Sequence, residues 1–244
     1  GVLYENMGAH DDALACYREC LRIALESNDA TSEALACNAI GVSLQTRAVA
    51  GLSAASHDAG ELEGTATQLT QEDESLLREA LSYHEQHAQV ADAPGRFIAH
   101  SNIGIAHQAL GDAAAAAEEH EAALRCAVQM SSLAGESLAC AHLGTVKASD
   151  DAPTAKACTE RRLLLSRTLG DAAGKADAYL QLGLIAQEAR EWAEAREAFE
   201  HAMREAELSG DQRVRELARC SVGIAEGSLR FEGMLAAAAE GAGR

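Results

Sequence analysis

The sequence predicts an all-α fold of stacked helical hairpins, and three observations predict it. A glycine recurs at one phase, as Gly1, Gly41, Gly104, Gly144, Gly183 and Gly223, in steps of 40, 63, 40, 39 and 40 residues. A fixed period in this range marks a helical repeat. Small and apolar residues recur at helical spacing around the glycine, as in Ala176, Tyr179, Leu180, Gly183 and Ala186. Aromatic residues make up only 3% of the chain and prolines number two, and no run alternates β-branched and aromatic residues as a sandwich or barrel would require.

Residues 171–210 show the repeating unit: two helices joined by a tight turn at 190–192, with Ala195, Ala198, Phe199 and Ala202 continuing the apolar pattern. Neither helix can bury its stripe alone, so each hairpin needs neighbours. The recurring glycine follows an apolar residue, namely Ile40, Ile103, Leu143, Leu182 or Val222. Glycine inside a helix costs about 1 kcal/mol relative to alanine. Its return at one phase therefore marks where a neighbouring helix comes too close for a side chain. Twelve residues past it stand Ala13, Ala116 and Ala195, and sixteen past it Tyr17 and Phe199.

Small residues at close crossings with an aromatic between the helices resemble the tetratricopeptide repeat (TPR). The resemblance covers essentially the whole chain except 46–70 and the last ten residues. It implies a right-handed α-α superhelix, a TPR solenoid of five to six helical hairpins. The period of 40 and the stretch 163–183, with its small residue–Gly–Asp turn, are similar to the long-repeat subclass. That subclass includes Pins/LGN-type adaptors and ciliary, dynein-associated TPR proteins. The pattern departs from the family in places. Cys37, His100, Cys140 and Tyr179 occupy the first consensus position, and Lys156 and Glu160 stand where alanine and an aromatic are expected. The second helix of the fourth repeat is therefore expected to pack less tightly.

In order, the reading is a single array over 1–244, with repeats at about 1–29, 30–92, 93–131, 132–169, 170–210 and 211–240. Residues 1–8 read as the tail of a helix, as in a piece of a longer chain. Asn28-Asp29 ends the second helix. The insertion 46–70, with Gly51, Gly60 and Gly64, reads as a solvated or partner-contacting loop, part of which could prolong the preceding helix. Thr70 and Asp73 form a capping-box pattern for a helix over 71–91. Pro94 fits the first turn of the next helix, and Pro153 the start of another. The sixth repeat is expected to close with a second helix at about 229–240.

The net charge of −18 argues against nucleic acid and anionic membrane as partners, since both need basic patches. No run of 18 apolar residues and no signal segment is present. The seven cysteines include no CxxC pair and read as small hydrophobes in a reducing, cytoplasmic setting. His84 and His87 lie one turn apart, His100 and His107 share a helix face, and His120 follows. A zinc site needs three or four ligands converging, and no His-Glu-x-x-His pattern exists, so these read as satisfied core or surface residues. No metal site, cofactor or small-molecule substrate is expected. Acidic runs read as solvated faces, and no nucleotide-binding or nucleophile motif appears, so the chain is not expected to be an enzyme.

The TPR resemblance places the first helices of successive repeats along a concave groove. Groove-facing phases lie six, three and two residues before the glycine and one and four after it. In the second and third repeats they hold Leu35, Asn38, Ala39, Val42 and Gln45, then Ile98, Ser101, Asn102, Ile105 and Gln108. Later repeats add His142, Gln181, Leu184 and Gln187. The candidate partner-binding residues are Asn38, Gln45, Ser101, Asn102, Gln108, His142, Gln181, Leu184 and Gln187. Amides can both donate to and accept from a peptide backbone, and Asn102 matches an Asn that the long-repeat adaptors carry before their apolar–Gly pair. No Lys or Arg occupies these phases, whereas chaperone-docking members use them to clamp a C-terminal carboxylate. The expected function is a non-catalytic scaffold or adaptor holding a helical or extended protein segment with apolar anchors and basic residues. The resemblance implies a subunit of a ciliary, axonemal or cytoskeletal complex. A chaperone or transport adaptor, and a regulatory domain of a larger enzyme, are the alternatives.

Overall fold

The computed structural model describes residues 1–58 and 69–242, and among these every regular element is an α-helix. The chain forms two compact units, Gly1–Ser131 and Ser132–Arg244. The first holds α1 (Val2–Asn6), α2 (His10–Ser27), α3 (Ala30–Asp58), α4 (Gln71–Val90), α5 (Ala93–Ala109) and α6 (Ala113–Gln129). The second holds α7 (Leu133–Lys147), α8 (Ala152–Leu169), α9 (Ala172–Glu188), α10 (Trp192–Ser209) and α11 (Gln212–Ala242). Within each unit, successive helices pack as antiparallel hairpins and each hairpin lies against the next.

Helix starts are set by side-chain caps. Asp92, Asp112, Asp151 and Asp171 each accept a hydrogen bond from a backbone N–H three residues on, which satisfies a donor the first turn leaves open. At α4 the full capping box forms: the Asp73 N–H donates to Thr70 Oγ1 at 3.1 Å, and the Asp73 carboxylate accepts from Thr70. Gly170 ends α8 with φ of 70°, in the left-handed region that stops a helix.

The recurring glycine does what its phase predicts. A Cβ at Gly1, Gly41, Gly104, Gly144 or Gly183 would lie closer than 3.0 Å to Tyr17, His84, His120, Thr159 or Phe199 of the following helix. Each of these lies four residues past an alanine that is fully buried, Ala13, Ala80, Ala116, Ala155 or Ala195. The hairpin rule is therefore a glycine notch on the first helix and an Ala-x-x-x-(ring or Thr) edge on the second.

Two departures have simple causes. The fourth hairpin obeys the rule with Ala155 and Thr159, and the residues aligned from sequence, Lys156 and Glu160, are exposed. Its cap Asp151 follows Gly144 by seven residues, whereas Asp112 and Glu191 follow Gly104 and Gly183 by eight. The shorter turn rotates α8 by one position, so the expected loose packing does not arise: Thr159 is fully buried, and its hydroxyl donates to the Ala155 carbonyl. Glu160→Tyr, which restores the family pattern, should change the unfolding free energy by no more than about 0.5 kcal/mol, because it lands on the surface. A gain above 1 kcal/mol in urea titration would overturn this register.

Part of the long step of 63 residues comes from a longer first helix. The first helix α3 runs 17 residues past Gly41, while α5 and α9 end five past theirs. Much of the expected irregular stretch 46–70 is thus helix, and residues 59–68 of it lie outside the described residues. Beyond the ring, α4 is a turn short: His84 precedes Gly104 by 20 residues, where His120 precedes Gly144 by 24. The sixth repeat also differs from expectation. Instead of a hairpin, α11 is one continuous helix through 229–240, and Gly223 has nothing within 4 Å of its would-be Cβ.

Candidate functional site

Exposure on the first helices follows a seven-residue rhythm. On α3, Leu35, Val42 and Val49 are exposed, and on α5 Ile98 is exposed and Ile105 half-buried. Seven residues are close to two helical turns, so each set forms one stripe. Between α3 and α5 lies an apolar cavity of about 450 Å³, lined by Val42, Gln45, Val49, Asn102 and Ile105 among others. No Lys or Arg lines it.

The candidate amides in the first unit take different roles. Asn102 Nδ2 donates to Asn38 Oδ1 at 3.1 Å, tying α5 to α3 at the cavity edge. Gln45 Oε1 is buried with no hydrogen-bond partner, an acceptor that costs free energy until a donor reaches it. Gln108 is half-buried on the last turn of α5. Ser101 is buried, and its hydroxyl donates to the Phe97 carbonyl at 2.8 Å, so it faces no groove. The phase three residues before the glycine is interior at Ser101 and at Leu180 in the second unit, whereas Asn38, at the same phase of α3, is half-buried.

In the second unit, Gln181 Nε2 lies 3.4 Å from Thr145 Oγ1 and packs over Gly144. His142 is half-buried, and burial followed by the nearby Arg162 charge lowers its pKa. Leu184 is exposed, and Gln187 lines a separate groove with Trp192, Ile224 and Phe231. Leu217, Ile224 and Phe231 repeat the seven-residue rhythm on α11. Sequence reasoning missed these and Val49, although extending the same phases by seven residues, to eight past the glycine, and to the sixth glycine, would have found them.

The histidines are packing residues. His84 and His120 are fully buried against Gly41 and Gly104, and His87 approaches Gly95. His84 departs from the expected satisfied core histidine: neither ring nitrogen has a hydrogen-bond partner. His100 Nδ1 lies 2.7 Å from Glu119 Oε2. Among the described residues no group of three or more His, Cys, Asp or Glu could hold a metal. Burial pushes the Cys37 and Cys140 thiols up to about 11, which keeps them neutral. No described helix is long and apolar enough to cross a membrane.

Charge is unevenly shared. Residues 1–131 contain six arginines and no lysine against twenty carboxylates, a net −14, which leaves −4 for residues 132–244. Five of those arginines already pair with carboxylates, as Arg18 does with Glu79 and Arg47 with Asp11. The cavity between α3 and α5 therefore sits in the more negative unit.

Helix hairpins with a glycine notch define an all-α, TPR-like repeat fold. The tetratricopeptide repeat family model matches residues 1–27. The chain is similar in structure to BtubC (BKLC) from P. vanneervenii, with a TM-score of 0.59 at 18% identity, covering 96% of this chain and 93% of that one. At that identity the likeness concerns the fold. A comparison with curated proteins gives no match.

Proposed function

We propose that the chain is a non-catalytic protein–protein interaction scaffold that holds a partner segment against its first-of-hairpin helices. The observation that carries this is the cavity between α3 and α5, where exposed Val42 and Val49 flank Asn102 and the unpartnered acceptor of Gln45. Such a surface offers apolar anchoring with a few amides to fix a backbone, which is how grooves hold short segments. The excess of carboxylates favours a partner rich in Lys and Arg. The resemblance of 163–183 to long-repeat adaptors suggests a ciliary or cytoskeletal assembly in the cytoplasm as the setting. The remaining candidates, His142, Gln181, Leu184 and Gln187, would contribute within the second unit.

The test is affinity purification with mass spectrometry, comparing the natural chain with a Val42→Lys, Asn102→Ala variant. A genuine groove partner should fall at least tenfold in recovery while circular dichroism stays unchanged. Equal recovery would move binding to another face. A synthetic peptide ending in an acidic C-terminal sequence should show no saturable binding up to millimolar concentration, because no Lys or Arg lines the cavity. Micromolar binding would favour the chaperone-adaptor reading instead.

A further inference from the structure

The geometry points to a second binding place, a cleft between α8, α9 and α10 that takes the side chain of an arginine carried within a polypeptide. The cleft lies inside the second unit, so this assignment does not rest on the cavity between α3 and α5.

Helices α8 and α10 both pack on α9, and the short turn that rotates α8 decides what lies between them. Lys156 and Glu160, standing where the repeat pattern expects an alanine and an aromatic, are turned outward. Together with Glu194 and Glu197 of α10 they line an open cleft of about 470 Å³. Lys156 Nζ lies 3.7 Å from Glu194 Oε2 and bridges the two helices. Glu160 and Glu197 have no ion-pair or hydrogen-bond partner among the described residues. The cleft therefore holds three carboxylates against one ammonium.

Its floor is apolar, with Leu182 and Ile185 of α9 half-buried beneath it. Tyr179 and His201 also line it, as two stacked rings whose centroids are 4.7 Å apart and whose planes differ by 15°. The molecule already sets one guanidinium against this pair. Arg167 Cζ lies 5.9 Å from the Tyr179 ring centroid, and its Nη2 donates to the Tyr179 hydroxyl at 2.6 Å.

Floor, rings and carboxylates suit successive parts of a single side chain. An arginine stem covers apolar surface while its charged head stays at the rim. The planar guanidinium stacks on aromatic rings, and its fork of donors matches a carboxylate. A lysine offers a point charge without a face to stack. A free amino acid would bring its own carboxylate among Glu160, Glu194 and Glu197, and like charges oppose that. The ligand is thus an arginine flanked by peptide bonds.

The probe is the capped tripeptide acetyl-Gly-Arg-Gly-amide, titrated into the whole chain while NMR follows the His201 ring and the Ile185 methyl groups. Saturable shifts are expected at millimolar peptide. The citrulline peptide, which keeps the shape and loses the charge, should bind at least tenfold more weakly, and the lysine peptide at least threefold. Glu160→Gln combined with Glu197→Gln should weaken the arginine peptide about fivefold, the scale of two exposed charge pairs. Both side chains are exposed, so circular dichroism should stay unchanged. No saturable shift up to tens of millimolar overturns the assignment, as does equal binding of the citrulline or lysine peptide, or equal binding to the double variant. Free arginine binding as tightly as the capped peptide also overturns it and makes the amino acid the ligand.

Discussion

Phe199→Ala should lower the unfolding free energy of the second unit by about 3–5 kcal/mol, the range for emptying a buried aromatic site. Phe199 is fully buried, and its ring fills the Gly183 notch within a core of Ala176, Ala195 and Val214. Urea unfolding followed by Trp192 emission reads this unit, since no other tryptophan exists. The matching glycines give a test of sign. Alanine is favoured over glycine in a helix by about 1 kcal/mol, so Gly223→Ala, whose Cβ meets nothing, should stabilise by about that amount. At Gly183 the same methyl group would collide with the Phe199 ring. Overpacking costs about 1–3 kcal/mol, so Gly183→Ala should come out destabilising. If both alanines shift the midpoint in one direction, the notch account fails.

Acid should weaken the first unit through His84. Burial, with a smaller contribution from the nearby His87 charge, pushes its pKa down to about 4 from an ordinary 6.5. Between those values the unfolded chain binds a proton that the folded chain refuses, so stability is complete above pH 6.5 and falls as pH drops toward 4. The full loss is about 3 kcal/mol, of which about 2 is reached by pH 5. His87 is lowered in the same direction by burial, opposed by Asp92. His84→Phe keeps a ring over Gly41 without a titrating group. Denaturation at pH 7 and pH 5 should therefore show a smaller acid loss in this variant by about 2 kcal/mol. An unchanged difference between the two pH values would mean that His84 protonates without penalty in the fold.

The hairpin architecture was legible because a glycine notch and its covering edge recur at fixed phase. His120, sixteen residues past Gly104, stands at the phase of Tyr17 and Phe199 and covers its glycine as they do. The register of α8 was not legible, because it depends on a turn one residue shorter, and Lys156 and Glu160 gave no sign of which residue replaced them. The last helix was misread at Gly227-Ser228. Well-marked turns pair a left-handed residue with a capping acid, as Gly111-Asp112 and Gly170-Asp171 do. Ser228 has Phe231 three residues on, which cannot return a hydrogen bond as a capping box requires. For the groove, the phases six before and one after the glycine point outward, as expected. The phase three before turns inward at Ser101 and Leu180, where the neighbouring helix closes over it. Periodicity along one helix does not say how wide the neighbour's footprint is.

The lysine-free, carboxylate-rich composition of residues 1–131 bears on the speed of capture. A cationic partner drifting toward the chain feels residues 1–131 before any contact forms, at distances up to the Debye length of about 8 Å in physiological salt. Raising the ionic strength should then slow arrival much more than it hastens departure, a kinetic imprint that apolar anchoring alone does not leave.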